Sequence, residues 1–352
     1  MVGEIYTAMA TPNIALVKYW GRKSVPGLNL PYNSSVSITL HEDALNTKTS
    51  VAFDPSLKND LVYIDGKAQN TRSGDEKVQS MMNIIGEMRA LAGMRDRAII
   101  VSRNTFPSGS GLASSAAGAA ALITALNSAL SLNLNNRDLS ILARRISGSA
   151  CRSMFGGFVK WRKGARKDGR DSYAEQIAPP DHWRLLDIIG ISSVSRKKVS
   201  SSTGHIITPR TSVLYNSRPR FSEGNAEGVI KAILEKDFER LAEITMRDSN
   251  NMHATMLDGW PPIRYMDDRG WSVAEAVMDA NERFGKNIIA YTFDAGPNPH
   301  LITMPKYKKE AEDILRDVLG DRSRIIVSRI GDGPRRVGNE YRLIDGSSHP
   351  IL

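Results

Sequence analysis

The sequence predicts an α+β protein of two domains. Its 352 residues exceed the ~100–200 of a usual single domain. Up to about residue 194, strand-like runs alternate with helix-like ones. Beyond a proline-punctuated stretch at about 190–220, a series of helices surrounds a strand pair. A content of 41% hydrophobic and 24% charged residues supports a large core and excludes wholesale disorder.

In chain order, the apolar run within 12–23 predicts a strand that delivers Lys18, Tyr19 and Arg22 to one end. Residues 99–102, led by β-branched side chains, predict a buried strand. A glycine- and serine-rich segment, 107–118, follows it closely. Residues 115–130 are alanine-rich and free of proline, a strong helix pattern. A second helix spans 136–146, with Asn or Asp available as its N-cap. Strands are expected at 155–161 and 186–194, and a serine- and lysine-rich loop at 195–203.

Thr208-Pro209-Arg210 and Ser217-Arg218-Pro219-Arg220 then mark a boundary. Helices are expected at 224–236, 237–250 and 272–284. Strands at 287–293 and 300–304 flank an Ala-Gly-Pro-Asn turn, and a helix at 306–319 and a strand at 324–330 complete the second half. The expected division is an N-terminal domain 1–195, a C-terminal domain 196–345 and a tail 346–352, with the chain after Gly338 loosely held. No internal repeat or low-complexity tract is evident.

The net charge of +9 could attract a polyanion. The basic residues are scattered, however, and no aromatic–basic module accompanies them, so nucleic acid is not the expected partner. A small anionic substrate accounts for the charge as well. No apolar run approaches the ~20 residues that span a bilayer, and the opening residues lack the order of a signal peptide. A cytoplasmic protein without a membrane partner is therefore expected. The single cysteine, Cys151, excludes an internal disulfide and a cysteine metal site and reads as a packing residue.

Four segments carry candidate chemistry. Pro107, Ser108, Gly109, Ser110, Gly111 and Leu112 lead into Ser114 and Ser115 at a strand–helix junction. There, glycines let backbone N–H groups approach an anion, and the helix N-terminus adds a positive dipole end. No Gly-Lys-Ser/Thr closes the segment, so it is not a Walker loop. Ser147, Gly148 and Ser149 form a second hydroxyl and amide cradle, and Arg152 beside them can grip a carboxylate or phosphate bidentately. The third segment is the one carrying Asn13, Lys18, Tyr19 and Arg22. The fourth ends an apolar strand in Asp294, before Ala-Gly-Pro-Asn. Alone, each also fits a purely structural role, such as a tight turn, a solvated edge or a turn-capping aspartate.

Together they resemble the mevalonate diphosphate decarboxylase family of the GHMP kinase superfamily. The resemblance covers nearly the whole chain: Lys18-Tyr-Trp-Gly, Leu30-Pro-Tyr-Asn-Ser-Ser-Val-Ser-Ile-Thr-Leu40, Gly111-Leu-Ala-Ser-Ser-Ala-Ala-Gly118, Ser147-Gly-Ser-Ala-Cys-Arg-Ser153, Asp248-Ser-Asn-Asn-Met-His-Ala-Thr255 and Tyr291-Thr-Phe-Asp-Ala-Gly-Pro-Asn298. It implies a two-domain GHMP-kinase-like fold with a ferredoxin-like second half and the active site in the cleft between the halves. It also implies ATP-dependent conversion of mevalonate 5-diphosphate to isopentenyl diphosphate in the mevalonate pathway of isoprenoid biosynthesis, without an organic cofactor, by a homodimer.

By the same resemblance, Ser114, Ser115 and the loop before them hold ATP phosphates and Mg²⁺, with no side-chain metal cluster. Tyr19, Arg22, Ser147, Gly148 and Ser149 hold the 5-phosphates, and Asn13 and Arg152 orient the carboxylate. Asp294 sits beside the 3-hydroxyl, and Lys18 tunes it. The 248–255 segment receives no chemical task, and His253 reads as a structural histidine.

The sequence departs from the family at Arg22, where lysine is usual, and at Pro107-Ser-Gly-Ser-Gly111, where Pro-Thr-Ala-Ala-Gly is usual. It also departs at Asn104-Thr105, where paired asparagines are usual, and in an apparently longer stretch at 203–210. These changes surround the ATP and 5-phosphate ends and leave the decarboxylation centre intact. They keep open decarboxylation of mevalonate 5-phosphate, or of the 3,5-bisphosphate without ATP, and a 3-kinase as the remaining alternative.

Overall fold

A computed structural model describes residues 3–106, 114–192, 198–320, 324–345 and 349–351. The chain opens with β1 (Tyr6–Ala10), β2 (Asn13–Val17), β3 (Ser35–Thr39), β4 (Thr47–Asp54), β5 (Leu61–Ile64) and β6 (Lys67–Ala68). Helix α1 (Glu76–Leu91), β7 (Arg97–Asn104), α2 (Ser114–Ala129), α3 (Asn136–Ile146), β8 (Phe158–Trp161) and β9 (Ala174–Ala178) follow. Next come β10 (Leu186–Ile191), α4 (Ser201–Thr211), α5 (Arg218–Glu235), α6 (Phe238–Asp258) and α7 (Asp268–Arg283). The chain continues through β11 (Ile289–Phe293), β12 (Pro299–Thr303), α8 (Lys308–Leu319), β13 (Arg324–Arg329) and β14 (Arg335–Val337).

Three sheets organise the α+β architecture. One has the order β14-β1-β4-β7-β5-β6, another β2-β3-β8-β9, and the third β11-β12-β10-β13. Alanine-rich α2 lays its small side chains against β1 and β4, sealing a core with Ile84, Met88, Ile100 and Leu142. Small side chains suit such close helix–sheet approach, and alanine carries the highest helix propensity. Asn135 caps α3, its side-chain oxygen accepting the Asp138 N–H at 3.0 Å.

A second core spans the two halves of the chain. Ile14, Val36, Ile38 and Phe158 from one sheet share it with Val229, Ile233, Leu241 and Phe293 from the other half. Helix α6 packs on both β2 and β11, and α5 packs on α6 and on β2 and β3. The ends of β2 and β11 are thereby held facing each other.

The structure differs from the sequence expectations in four places. The stretch 208–210, expected to punctuate, lies inside α4 with Pro209 in the helix. Proline cannot donate to the carbonyl four residues back, and here the His205 carbonyl instead accepts the Arg22 N–H at 3.1 Å. Pro219 likewise stands in the first turn of α5 rather than in a linker. Strand β10 pairs with β12 and β13, so a strand expected in the first domain belongs to the sheet of the second half. After Gly338, Leu343 and Ile344 are buried against Ala52, Ile99 and Val101, so this part of the chain is packed rather than loose. Among the described residues, no helix is long and apolar enough to cross a membrane.

Candidate active site

A cleft of about 370 Å³ lies where β2, the N-terminal turns of α1, α2 and α4, the 147–152 turn and the end of β11 converge. Its walls include Lys18, Tyr19, Arg22, Ser114, Ser115, Ser147, Gly148, Ser149, Arg152 and Asp294. Thus ten of the residues singled out in the sequence meet in one place. Pro107, Ser108, Gly109, Ser110, Gly111 and Leu112 lie outside the described residues. Asn13 is buried behind the wall. Its Nδ2 donates to Ser153 Oγ at 2.8 Å and to the Ser149 carbonyl at 3.2 Å, and its Oδ1 accepts from Arg152 Nε at 3.1 Å. It therefore meets the cleft indirectly, through Arg152 and Ser149.

Lys18 and Asp294 form the link across the halves. A register shift in β2 between Ala15 and Val17 turns the strand's end, and the Lys18 N–H donates to Asp248 Oδ1 at 2.8 Å. The Lys18 ammonium then reaches Asp294 Oδ1 at 2.7 Å; Lys18 is buried, whereas Asp294 is 31% exposed. Burial pulls the Lys18 ammonium below the ordinary lysine range, opposed by the Asp294 charge. Burial would raise the Asp294 carboxyl, but Lys18, with smaller help from His300 and Arg152, holds it below the usual carboxylate range. Each partner is thus the main influence favouring the charged form of the other.

Arg152 is buried, and that burial depresses its guanidinium. Its Nη1 donates to Ser35 Oγ at 2.6 Å, which leaves Nη2 without a protein partner among the described residues. An arginine fixed on two sides with its remaining N–H groups bordering a cleft is a ready carboxylate receptor.

The opposite side of the cleft is built from hydroxyls and amides. Ser115 Oγ and Ser147 Oγ are 3.3 Å apart across the start of α2 and the end of α3. Gly148 packs on Tyr19 so closely that a Cβ would lie 2.6 Å from the ring. Burial raises the Tyr19 phenol, so it remains protonated and a donor. Arg22 is held by Asn29 at 2.9 Å and by Glu76 at 2.7 Å. Cys151 is sealed beneath, its thiol pushed up to about 12 chiefly by burial, which fits a packing role.

Among the described residues, no group of three His, Cys, Asp or Glu could hold a metal. The residues that fit Mg²⁺ brought by a nucleotide are the hydroxyls of Ser114 and Ser115 at the α2 N-terminus, supplementing the nucleotide's own oxygens.

Other important residues carried weaker sequence signals. Asp248 is fully buried and binds Arg218, Ser222 and Asn225 as well as the Lys18 N–H. Ser249 Oγ accepts the Phe293 N–H at 3.0 Å, so α6 fixes both strand ends that carry the ion pair. The 248–255 segment is thus a brace between the halves. His253 Nε2 lies 3.4 Å from the Phe293 carbonyl, and its ring is pulled down to about 3 mainly by burial, which fits a structural histidine.

Two α+β halves closing on a cleft of hydroxyls, fixed cations and the Asp294 and Glu76 carboxylates define a GHMP-kinase-like enzyme of the decarboxylase type. Residues 10–174 match the model of the diphosphomevalonate decarboxylase-like N-terminal domain. Residues 188–329 match that of the mevalonate 5-diphosphate decarboxylase C-terminal domain. The chain belongs to the diphosphomevalonate decarboxylase family.

Diphosphomevalonate decarboxylase mvd1 of Aspergillus fumigatus is 41% identical over 328 residues, covering 89% of this chain and 80% of the relative. A structure of the mevalonate diphosphate decarboxylase of Enterococcus faecalis, concerned with mevalonate diphosphate mediated ATP binding, superposes with a TM-score of 0.82 at 35% identity, covering 96% of this chain and 100% of the other. A structure of MDDEF in complex with MVAPP, AMPPCP and magnesium gives a TM-score of 0.84 at 35% identity, with 96% and 100% coverage.

Proposed function

We propose that this chain catalyses the ATP-dependent decarboxylation of mevalonate 5-diphosphate to isopentenyl diphosphate, releasing ADP, phosphate and carbon dioxide. The observation that carries the proposal is the Lys18–Asp294 ion pair at 2.7 Å beside the half-satisfied Arg152 guanidinium. A kinase can also use a fixed carboxylate to orient the hydroxyl it phosphorylates, but it needs no carboxylate receptor such as Arg152 beside that hydroxyl.

The substrate's tertiary hydroxyl is a poor leaving group until it becomes a phosphate ester. Transfer of the terminal phosphoryl of ATP requires mainly positioning and charge neutralisation. The hydroxyls of Ser114 and Ser115 and the N-terminus of α2 supply these. The Ser114 and Ser115 hydroxyls would help to hold Mg²⁺ brought by the nucleotide, which would offset the negative charge of the phosphates.

Asp294 accepts the hydrogen bond of the 3-hydroxyl and fixes its direction. Held well ionised by Lys18, it is a weak base, which suits a transfer that needs little proton abstraction before bond making. When the 3-phosphate departs with its electron pair, positive charge develops on the tertiary carbon, and Asp294 stabilises it. Arg152, steadied by Asn13 and Ser35, holds the substrate carboxylate. The carboxylate's C–C bond then breaks, its electrons form the alkene, and carbon dioxide leaves. Tyr19, Arg22, Ser147, Gly148 and Ser149 hold the 5-diphosphate throughout. A cytoplasmic homodimer is part of the same proposal, supported by family likeness, and light scattering of the purified protein reads its assembly.

The test offers the purified protein mevalonate 5-diphosphate, mevalonate 5-phosphate and mevalonate 3,5-bisphosphate, each with and without ATP. The expected result is carbon dioxide release from the diphosphate with ATP only. Turnover of the bisphosphate alone, with none of the diphosphate, rejects the proposal.

A further inference from the structure

We propose that His205 is a specificity-determining residue for the phosphorylated end of the substrate, its Nε2–H donating to a phosphoryl oxygen in the cleft. The proposal rests on the functional reading above and adds to it a residue on α4. His205 lines the cleft with Tyr19, Arg22 and Ser200 to Ser202. Its ring stacks on Tyr19 with centroids 4.2 Å apart and an interplanar angle of 27°, and lies 4.5 Å from the ring of Trp20. The imidazole is therefore fixed in plane, next to a residue of the phosphate cradle.

The hydrogen bonding assigns the tautomer. The Gly21 N–H donates to His205 Nδ1 at 2.9 Å, so Nδ1 is an acceptor and the proton of the neutral ring sits on Nε2. Burial, with Arg22 adding to it, pulls the imidazole down to about 3, which keeps the ring neutral in the working range. Nε2 has no protein partner among the described residues, although His205 is only 9% exposed. With the rest of the ring enclosed, Nε2 opens onto the cleft, where a ligand oxygen or water is the partner within its reach.

The same residue fixes the corner that carries Arg22. Gly21 has φ +85°, and its N–H binds the His205 ring while the following Arg22 N–H binds the His205 carbonyl at 3.1 Å. Tyr19, Arg22 and His205 form one rigid wall. A neutral N–H donor added to that wall strengthens phosphoryl binding without adding charge that would slow product release.

The experiment separates donor from brace with two substitutions. His205→Asn offers an amide oxygen to the Gly21 N–H but cannot reach as Nε2 does. His205→Gln places an amide N–H near Nε2 but loses the Nδ1 acceptor. KM, kcat and melting temperature are measured with mevalonate 5-diphosphate and ATP, alongside calorimetric titration of inorganic pyrophosphate into each protein. His205→Asn is expected to raise KM and weaken pyrophosphate binding about tenfold, with kcat within about threefold, as loss of one hydrogen bond to a charged group predicts. His205→Gln should keep affinity closer to that of the unmodified protein.

Equal KM and pyrophosphate affinity in His205→Asn and the unmodified protein would overturn the proposal, as would the reverse order of the two variants. If both variants fold poorly, nitrogen-15 resonances of the unmodified protein decide. A proton on Nε2 that shifts when pyrophosphate is added supports the assignment; a proton on Nδ1, or no shift, overturns it. Failure of the unmodified protein to turn over the diphosphate rejects the functional reading instead, and the pyrophosphate titration distinguishes the two failures.

Discussion

The Lys18 ammonium and the Asp294 carboxylate meet at 2.7 Å across the two halves of the chain, one at the end of β2 and the other just beyond β11. Neither residue is positioned by its own strand alone. Asp248 holds the Lys18 N–H, Ser249 holds the Phe293 N–H, and both anchors stand on α6. Asp294→Ala should therefore bind substrate nearly as tightly as the unmodified protein but release carbon dioxide at least about a hundredfold more slowly. It should also melt earlier, since an unpaired buried ammonium costs about 3–5 kcal/mol. Lys18→Met combined with Asp294→Ala should recover much of the melting temperature and none of the activity. Carbon dioxide release and thermal melts of the single and double variants check both halves of this prediction.

The pair also sets a pH window. Lys18 is lowered by burial, against the pull of Asp294, so kcat should fall at a pH below the ordinary lysine value of about 10.4. A pH–rate profile should show this alkaline limb moving upward in Lys18→Arg. In the same alkaline window the unfolded chain binds the Lys18 proton more tightly than the folded one, so this group's contribution to stability rises with pH.

Asp294 behaves as a depressed carboxyl. Burial acts to raise it, and Lys18 outweighs that effect. Its stabilising contribution is complete above the unfolded value of about 3.9 and is lost only as pH falls through the lower folded value. The melting difference between the unmodified protein and Asp294→Asn should accordingly stay constant from about pH 7 down to about pH 5; a difference that shrinks in that range contradicts the assignment.

Where the signal was local, the sequence was a good guide. The alanine-rich helix and the capped 136–146 helix were legible because propensity and capping act within a few residues. Asp294 and Lys18 were legible as strand ends, and the resemblance paired them. The α4 helix was not, because its proline reads as a breaker; the group that answers the freed His205 carbonyl is the Arg22 N–H, far away in the chain. Strand β14 was equally opaque, since three residues carry no periodicity and its partner β1 opens the chain. His205 became visible only when the Gly21 N–H and the Tyr19 ring were seen to enclose it.

Asp248 and Arg218 form a fully buried pair at 3.2 Å, and Asp248 is also the anchor of the Lys18 backbone. Asp248→Ala leaves the guanidinium uncompensated and releases the strand end. It should cost about 3–5 kcal/mol in denaturant unfolding and lower kcat as well. Asp248→Asn keeps an oxygen for one of its partners and should be milder on both counts. An unchanged kcat at a lowered unfolding midpoint would contradict the bracing role, because the brace acts on turnover through the position of Lys18.

Gly148 tests the phosphate cradle from the opposite side to His205. A Cβ there would lie 2.6 Å from Tyr19 Cε1 and 2.9 Å from its hydroxyl oxygen. Tyr19 cannot retreat freely, because its ring is stacked on His205 and lies 4.6 Å from the Trp161 ring. Gly148→Ala must therefore push the phenol out of the cradle or open the 147–152 turn. Overpacking of this kind costs about 1–3 kcal/mol, so the variant should remain folded. In the proposed assignment Tyr19 serves the 5-diphosphate and not the Lys18–Asp294 centre, so the loss should fall mainly on KM for the diphosphate, about tenfold for one displaced donor. Tyr19→Phe in the same background should add little, since the hydroxyl is already displaced. Steady-state kinetics of the two single variants and the double variant check the coupling. Independent, additive losses would mean that Gly148 does not act through Tyr19.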